Sequence, residues 1–158
     1  MEHVEVKRVV PLTVDQAFAI AADVVAYREF LPLVTRSTIR GNVVEEGKVK
    51  TFAADLMVAV EKLGLREGFT SQVVADAGAR TVTATSHDGP IKDLRAVWTI
   101  NTIDGTRTQV AIAIDYQFRN MLLQMAAGSM MDMAVKRVLE AFEKRGRQVY
   151  PLSALPNI

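Results

Sequence analysis

The feature that most constrains this chain is a change of hydrophobic period at Phe118. From Thr108 to Phe118 the residues alternate, with Val110, Ile112, Ile114, Tyr116 and Phe118 on one side and Gln109, Ala111, Ala113, Asp115 and Gln117 on the other. That is the period-two signature of a strand with one buried face. Beyond it, Leu122, Met125, Ala126, Ser129, Met130, Met133, Ala134, Val138, Ala141 and Phe142 recur at helical spacing as far as Arg145, which predicts one long helix with this stripe against the core. Such a helix runs roughly 40 Å, long enough to cross a sheet of about seven strands. The strand and the helix each have an apolar face to cover, so the helix is expected to lie on the sheet.

Upstream, residues 3 to 10 place Val4 and Val6 on one face and stop at Pro11, which cannot donate to a ladder. Thr13-Val14-Asp15-Gln16 then forms a capping box. It opens a short helix carrying Val14, Ala17, Phe18, Ala21 and Ala22, followed by a second segment with Val24, Tyr27 and Phe30 that Leu31-Pro32 closes. From Val34 to Phe118, β-branched and aromatic residues are interrupted by turn residues at Gly41-Asn42, Glu46-Gly47, Asp76-Ala77-Gly78, Asp88-Gly89-Pro90 and Asp104-Gly105. About six strands are expected there. No helical segment separates neighbours, so they must pair antiparallel. The prediction is an α+β fold with a curved antiparallel sheet, two short helices after strand one and a long final helix. Residues 1–147 would form a single domain, and residues 148–158, with Pro151 and Pro156, a surface tail.

Composition removes several chemistries. With no Cys and two His, Cys-ligated zinc, iron–sulfur and thiol chemistry are excluded, and no metal or covalent cofactor is expected. Nineteen Lys and Arg against 18 Asp and Glu leave a net charge of +1, too little to draw the whole protein to DNA or to an anionic bilayer. Lys136, Arg137, Lys144, Arg145 and Arg147 give the final helix a basic end, which suits its dipole and could also meet phosphate on lipid or RNA. The start, MEHVEVKRVVPL, lacks the form of a secretory signal, and the uncharged stretch Asn120 to Met131 is about half of a bilayer-spanning helix. Cytoplasmic residence is expected, with any membrane contact peripheral.

A curved sheet wrapped on one helix leaves a cavity where the helix-facing residues are small. Five of the seven Met lie between Met121 and Met133, mixed with Ala126, Ala127, Gly128, Ser129 and Ala134. This is a flexible surface that suits an irregular apolar ligand, or equally a core filler. Gly128 within the helix suggests that something approaches closely there. Glu67 shares parity with Leu65, Phe69, Ser71 and Val73, so it points inward to hold a polar head group or pairs across the strands. Trp98 and Tyr116 reach the apolar face as core or as lining, and Phe30, Leu31 and Pro32 could form the lip. His87 beside Asp88 reads as an exposed turn histidine, because no nucleophile motif accompanies it.

Several blocks carry a family resemblance: Tyr27-Arg28-Glu29-Phe30-Leu31-Pro32, Phe52 to Val58, Glu67 to Val73, Gly89 to Leu94 leading to Trp98, and Phe118-Arg119-Asn120 with Ala141 to Arg145. Across residues 3 to 147 the chain resembles the coenzyme-Q-binding START-type proteins. They belong to the polyketide cyclase/dehydrase-like superfamily that also includes the ribosome-association toxin RatA. The resemblance implies a helix-grip (START/Bet v 1-like) fold and non-enzymatic binding of ubiquinone or another isoprenoid lipid in support of respiratory electron transport. The tunnel would be lined by Phe30, Leu31, Pro32, Leu56, Phe69, Trp98, Ile112, Tyr116, Leu122, Met125, Ala126, Ser129, Met130 and Met133. The alternatives are a RatA-like regulator that binds the large ribosomal subunit, and a polyketide cyclase or dehydratase, for which no acid and base pair stands out.

Overall fold

The computed structural model describes residues 1–151. The chain opens with β1 (Glu2–Val10), α1 (Val14–Ala22), a 3₁₀ turn at Val24–Ala26 and α2 (Tyr27–Phe30). Six strands follow: β2 (Val34–Glu46), β3 (Val49–Val60), β4 (Leu65–Asp76), β5 (Thr81–Ser86), β6 (Ile91–Thr102) and β7 (Thr108–Phe118). The last element is α3 (Met121–Val149). All pairings are antiparallel, in the order β1-β7-β6-β5-β4-β3-β2, so β1 closes back on β7 and β2 is the far edge. The capping box forms as the sequence predicts, with Gln16 N–H donating to Thr13 Oγ1 at 3.1 Å and Thr13 N–H to Gln16 Oε1 at 3.0 Å.

One turn differs from its prediction. Gly41-Asn42 does not reverse the chain; Gly41 has φ +74° inside β2, where the register with β3 slips between Arg40 and Val44. Gly tolerates that left-handed conformation at no steric cost, so the strand bulges and continues. The reversal missed in sequence is the 3₁₀ turn at Glu61–Leu63 that ends at Gly64. It carries charged residues and lacks the paired turn residues that mark the other loops.

The core lies between the sheet and the second half of α3. Val135, Leu139 and Phe142 are buried, and Phe142 stacks at 5.5 Å from Trp98, which in turn meets Tyr27 at 6.1 Å. Tyr27 donates its hydroxyl to Ala21 O, and burial, with a smaller effect from the Asp23 charge, pushes its pKa upward. Stepping back from Val135 by four residues gives Met131, Ala127 and Leu123, and these face the sheet. The predicted stripe is therefore rotated in the first half of the helix: Leu122 and Met125 face solvent. Periodicity could not fix that face, because Met121 to Met131 carry no charge and are apolar on every side. The helix also outruns its predicted end at Arg145, taking in Gln148 and Val149, and Tyr150 packs back against the core. Of the predicted tail, residues 152–158 lie outside the described residues.

The close approach expected at Gly128 is found at Gly146 instead. Nothing approaches within 4 Å of a Cβ built on Gly128, whereas one on Gly146 would sit 2.6 Å from Leu12 Cδ1. Leu12 is fully buried and has no room to give way. Gly128→Ala is expected to stabilise the protein by about 0.5–1 kcal/mol through helix propensity. Gly146→Ala should destabilise it by roughly 1 kcal/mol or more despite the same propensity gain. Urea midpoints of the two variants would move in opposite directions.

Candidate functional site

β5 is half the length of its neighbours, and this opens the sheet. β4 pairs with β5 only from Gln72 to Asp76, so the segment from Leu65 to Ser71 has β3 alone as a ladder partner. The β5–β6 turn fills the gap. Asp88 accepts from Thr70 N–H at 2.9 Å, Ser86 donates to Thr70 O at 2.7 Å, and Arg119, just before the cap of α3, donates to His87 O and Gly89 O at 3.0 and 3.1 Å. Asn120 caps α3 through Leu122 N–H and Leu123 N–H. The first half of the helix is thereby fixed over the open part of the sheet, without being packed down onto it.

Between them lies a cavity of about 590 Å³, within the roughly 300–1,000 Å³ range of small-molecule sites. Its sheet wall is Val58 and Val60 of β3, Leu65, Glu67 and Phe69 of β4, Ile91 and Leu94 of β6, and Ile114, Tyr116 and Phe118 of β7. Leu123, Ala127, Met130, Met131 and Ala134 of α3 form the roof, and Pro32 and Leu33 close one side. Two alanines and two flexible methionines explain why the roof leaves space. The charged lining is limited to Lys62, Glu67 and Arg137, with Gln117 and Ser129 as further polar groups. Burial, and to a smaller extent the charge of Glu2, raises the Tyr116 pKa, so this phenol is protonated at neutral pH.

Of the residues expected to line the tunnel, Pro32, Phe69, Tyr116, Ser129, Met130 and Met133 do border the cavity. Leu31, Trp98 and Ile112 do not: they are buried in the solid core, Trp98 as a member of the aromatic stack. Phe30 packs edge-on to Tyr27 beneath the Arg145 guanidinium, 5.3 Å from its ring centre. Leu56 points inward but packs on the core short of the cavity, and also borders an outer groove. Ala126, Leu122 and Met125 lie off the cavity because of the rotated helix face. The parity that put Glu67 inward holds, and among the described residues no hydrogen bond or ion pair engages it. The walls from Val58 to Leu65 were missed; continuing the parity of buried Ala54 and Ser71 along β3 and β4 would have found them.

The other sequence candidates are occupied or exposed. His87 is exposed, its Nδ1 3.2 Å from Lys92 O and 3.6 Å from Asp93. Of the basic helix end, Lys136 pairs with Asp132, Arg145 with Glu29 and Arg147 with Glu143. Burial alone would raise Glu143, but hydrogen bonds from Arg147 and Arg8 outweigh it and lower its pKa. On the outer face, a groove of about 390 Å³ between β2, β3 and β4 holds a self-contained cluster: Arg40 Nε lies 3.0 Å from both Asp55 oxygens, and Thr70 Oγ1 donates to Asp55 at 2.7 Å. Among the described residues no group of three His, Cys, Asp or Glu side chains is arranged for a metal ion. Nor is any helix there long and apolar enough to cross a membrane.

Residues 10–143 match the family described as polyketide cyclase / dehydrase and lipid transport. The chain belongs to that family. Its helix-grip fold is shared with a START superfamily protein from Mycobacterium smegmatis, at a TM-score of 0.80 with 14% identity, covering 93% of this chain and 98% of the other. The 18 kDa protein CC1736 from Caulobacter crescentus superposes with a TM-score of 0.79 at 31% identity, covering 95% of this chain and 99% of that one. Among curated proteins, the ribosome association toxin RatA of Vibrio cholerae is 27% identical over 95% of this chain and 99% of its own length. The mitochondrial coenzyme Q-binding protein coq10 of Schizosaccharomyces pombe is 25% identical over 98% of this chain and 92% of its own.

The outer cluster makes a testable contribution to stability. Hydrogen bonds from Thr70 and then Arg40 hold the Asp55 pKa below its ordinary 3.8. A carboxylate lowered on folding stabilises the protein above its unfolded pKa, and that stabilisation is lost as pH falls through the folded value. Asp55→Asn is therefore expected to cost stability at pH 6, and the gap from the parent should close as urea midpoints are followed down through pH 4 toward pH 2.

Proposed function

We propose that this protein is a non-enzymatic carrier that holds an apolar lipid with a compact polar head, of the isoprenoid quinone type and with ubiquinone as the leading ligand, between α3 and the open part of the sheet. The observation that carries this reading is the cavity: apolar walls, an alanine and methionine roof, and a few polar groups. Burial of apolar atoms supplies affinity in such a site, and the polar groups orient the head. Tyr116, as a protonated phenol, and Gln117 are suited to donate to a quinone carbonyl. The similarity to a coenzyme Q-binding protein supports this ligand, and support of respiratory electron transport follows from it. The family also takes in cyclases and dehydrases by description, but His87, in the β5–β6 turn, is exposed, bonds to Lys92 O and is not part of the cavity lining.

Protein purified from a quinone-producing host is expected to release quinone on organic extraction, identified by mass spectrometry at near-stoichiometric amounts. Ala127→Trp should fold and lose about tenfold or more in affinity for a short-chain ubiquinone, because the indole occupies the roof space. Unchanged affinity in the folded variant would put the ligand elsewhere.

Ribosome association is the second reading, and the named relatives favour it over the quinone reading, since RatA proteins predominate among the curated matches. It would use an outer surface, leaving the cavity to hold or sense a lipid. Specific cosedimentation with the large ribosomal subunit, weakening steeply between about 50 and 200 mM salt, is expected if phosphate contacts carry it. A protein that stays in the supernatant at low salt would exclude it.

A further inference from the structure

In the first half of α3, part of the stripe that the sequence assigns to the core is exposed. Met121, Leu122, Met125 and Met133 are 78%, 76%, 68% and 54% exposed. Leu122, Met125, Ser129 and Met133 follow one another at helical steps, the first two turned away from the cavity and the last two at its edge. Single exposed apolar residues are ordinary, whereas a run of them along one helix face marks a surface that something covers.

Two observations indicate what covers it. The stripe is continuous with the cavity mouth, because Ser129 and Met133 border the cavity as well. Across the mouth stands Leu33, 40% exposed and held at φ +76°, a conformation a leucine rarely adopts and glycine would fill more cheaply. The mouth is thus rimmed on two sides by large apolar side chains directed at solvent. The charges at this rim are also biased: Lys62 and Arg137 border the cavity, and among the described residues neither is engaged in an ion pair. The nearby Asp132 is neutralised by Lys136 at 2.8 Å. Glu67, the acidic residue of the lining, lies further in on β4 and is only partly exposed.

We infer that the exposed stripe of α3, with Leu33 opposite, is a docking surface for an anionic lipid bilayer, seating the cavity mouth on the membrane so that a lipid passes between bilayer and cavity without crossing water. This rests on the lipid-carrier reading. The stripe inserts Leu and Met among the acyl chains while Lys62 and Arg137 meet anionic head groups, the division of labour of an interfacial helix. Each contribution is modest, so the contact is reversible, as delivery requires.

The test is cosedimentation of the full-length protein with vesicles of phosphatidylcholine and phosphatidylglycerol at 3:1, and with phosphatidylcholine alone. The parent is expected to bind the mixed vesicles more tightly, with the excess lost in high salt. Leu122→Ser combined with Met125→Ser removes exposed side chains that touch neither core nor cavity. It should retain the parent's circular dichroism and its solution affinity for short-chain ubiquinone, and weaken vesicle binding by about tenfold or more. Vesicle binding equal to the parent's, or absent from the parent, overturns the inference. So does a parent that is dimeric and a double variant that is monomeric, since the stripe would then be covered by a second copy. Vesicle binding that depends on the stripe, in a protein that takes no quinone, would preserve the surface and refute the ligand.

Discussion

The packing of Phe142 on Trp98, and of Gly146 on Leu12, fixes where the long helix meets the sheet. These contacts close the second half of α3 onto β6 and the connection between β1 and α1, with no room for even one added carbon at Gly146. Short β5 then leaves the sheet open on the other side, and the latch of Arg119, Asp88 and Ser86 fastens the start of the helix above that opening. The cavity follows from a helix held at both ends over a sheet that it touches at one. It needs no special cavity-forming residue beyond the alanines and methionines of the roof.

The elements were legible because their signals are local. The capping box at Thr13, the alternation from Thr108 to Phe118, and the absence of helical spacing between Val34 and Phe118 each report on a neighbourhood of a few residues. The face of α3 was not legible, since its first half carries no charge to mark the wet side. Only the tertiary anchor at Val135, Leu139 and Phe142 sets the phase, and that anchor is three turns downstream. The error moved Leu122 and Met125 from the expected lining to the surface. The same kind of limit applies to Trp98 and Ile112: alternation shows that a side chain points inward, but whether it meets packed atoms or open space depends on the far side of the layer. Glu67 was legible by parity alone, because nothing opposite had to be known to place it.

The two functional readings use different parts of the molecule. A lipid in the cavity contacts β3, β4, β6, β7 and the roof, whereas a large macromolecular partner must use outer surface, where Arg145, Arg147 and Lys136 already have intramolecular partners. Exposed ion pairs are weak and can be exchanged for phosphate contacts, and among the described residues Arg137 and Lys144 have no ion-pair partner, so the basic end of the helix keeps a modest attraction. The cavity has no such competitor within it, and this is why the ligand reading is the one the geometry favours, even though the named relatives point to the ribosome.

The central claim is the position of the ligand, and six of the seven methionines are placed to report it. Met130, Met131 and Met133 border the cavity, Met121 and Met125 face solvent, and Met57 borders the outer groove. Titrating methyl-labelled protein with a short-chain ubiquinone, in the absence of membranes, should shift the first group in the NMR spectrum and leave Met57, Met121 and Met125 where they were. Shifts confined to Met57, or to Met121 and Met125, or no shift at all at saturating quinone, would contradict the account.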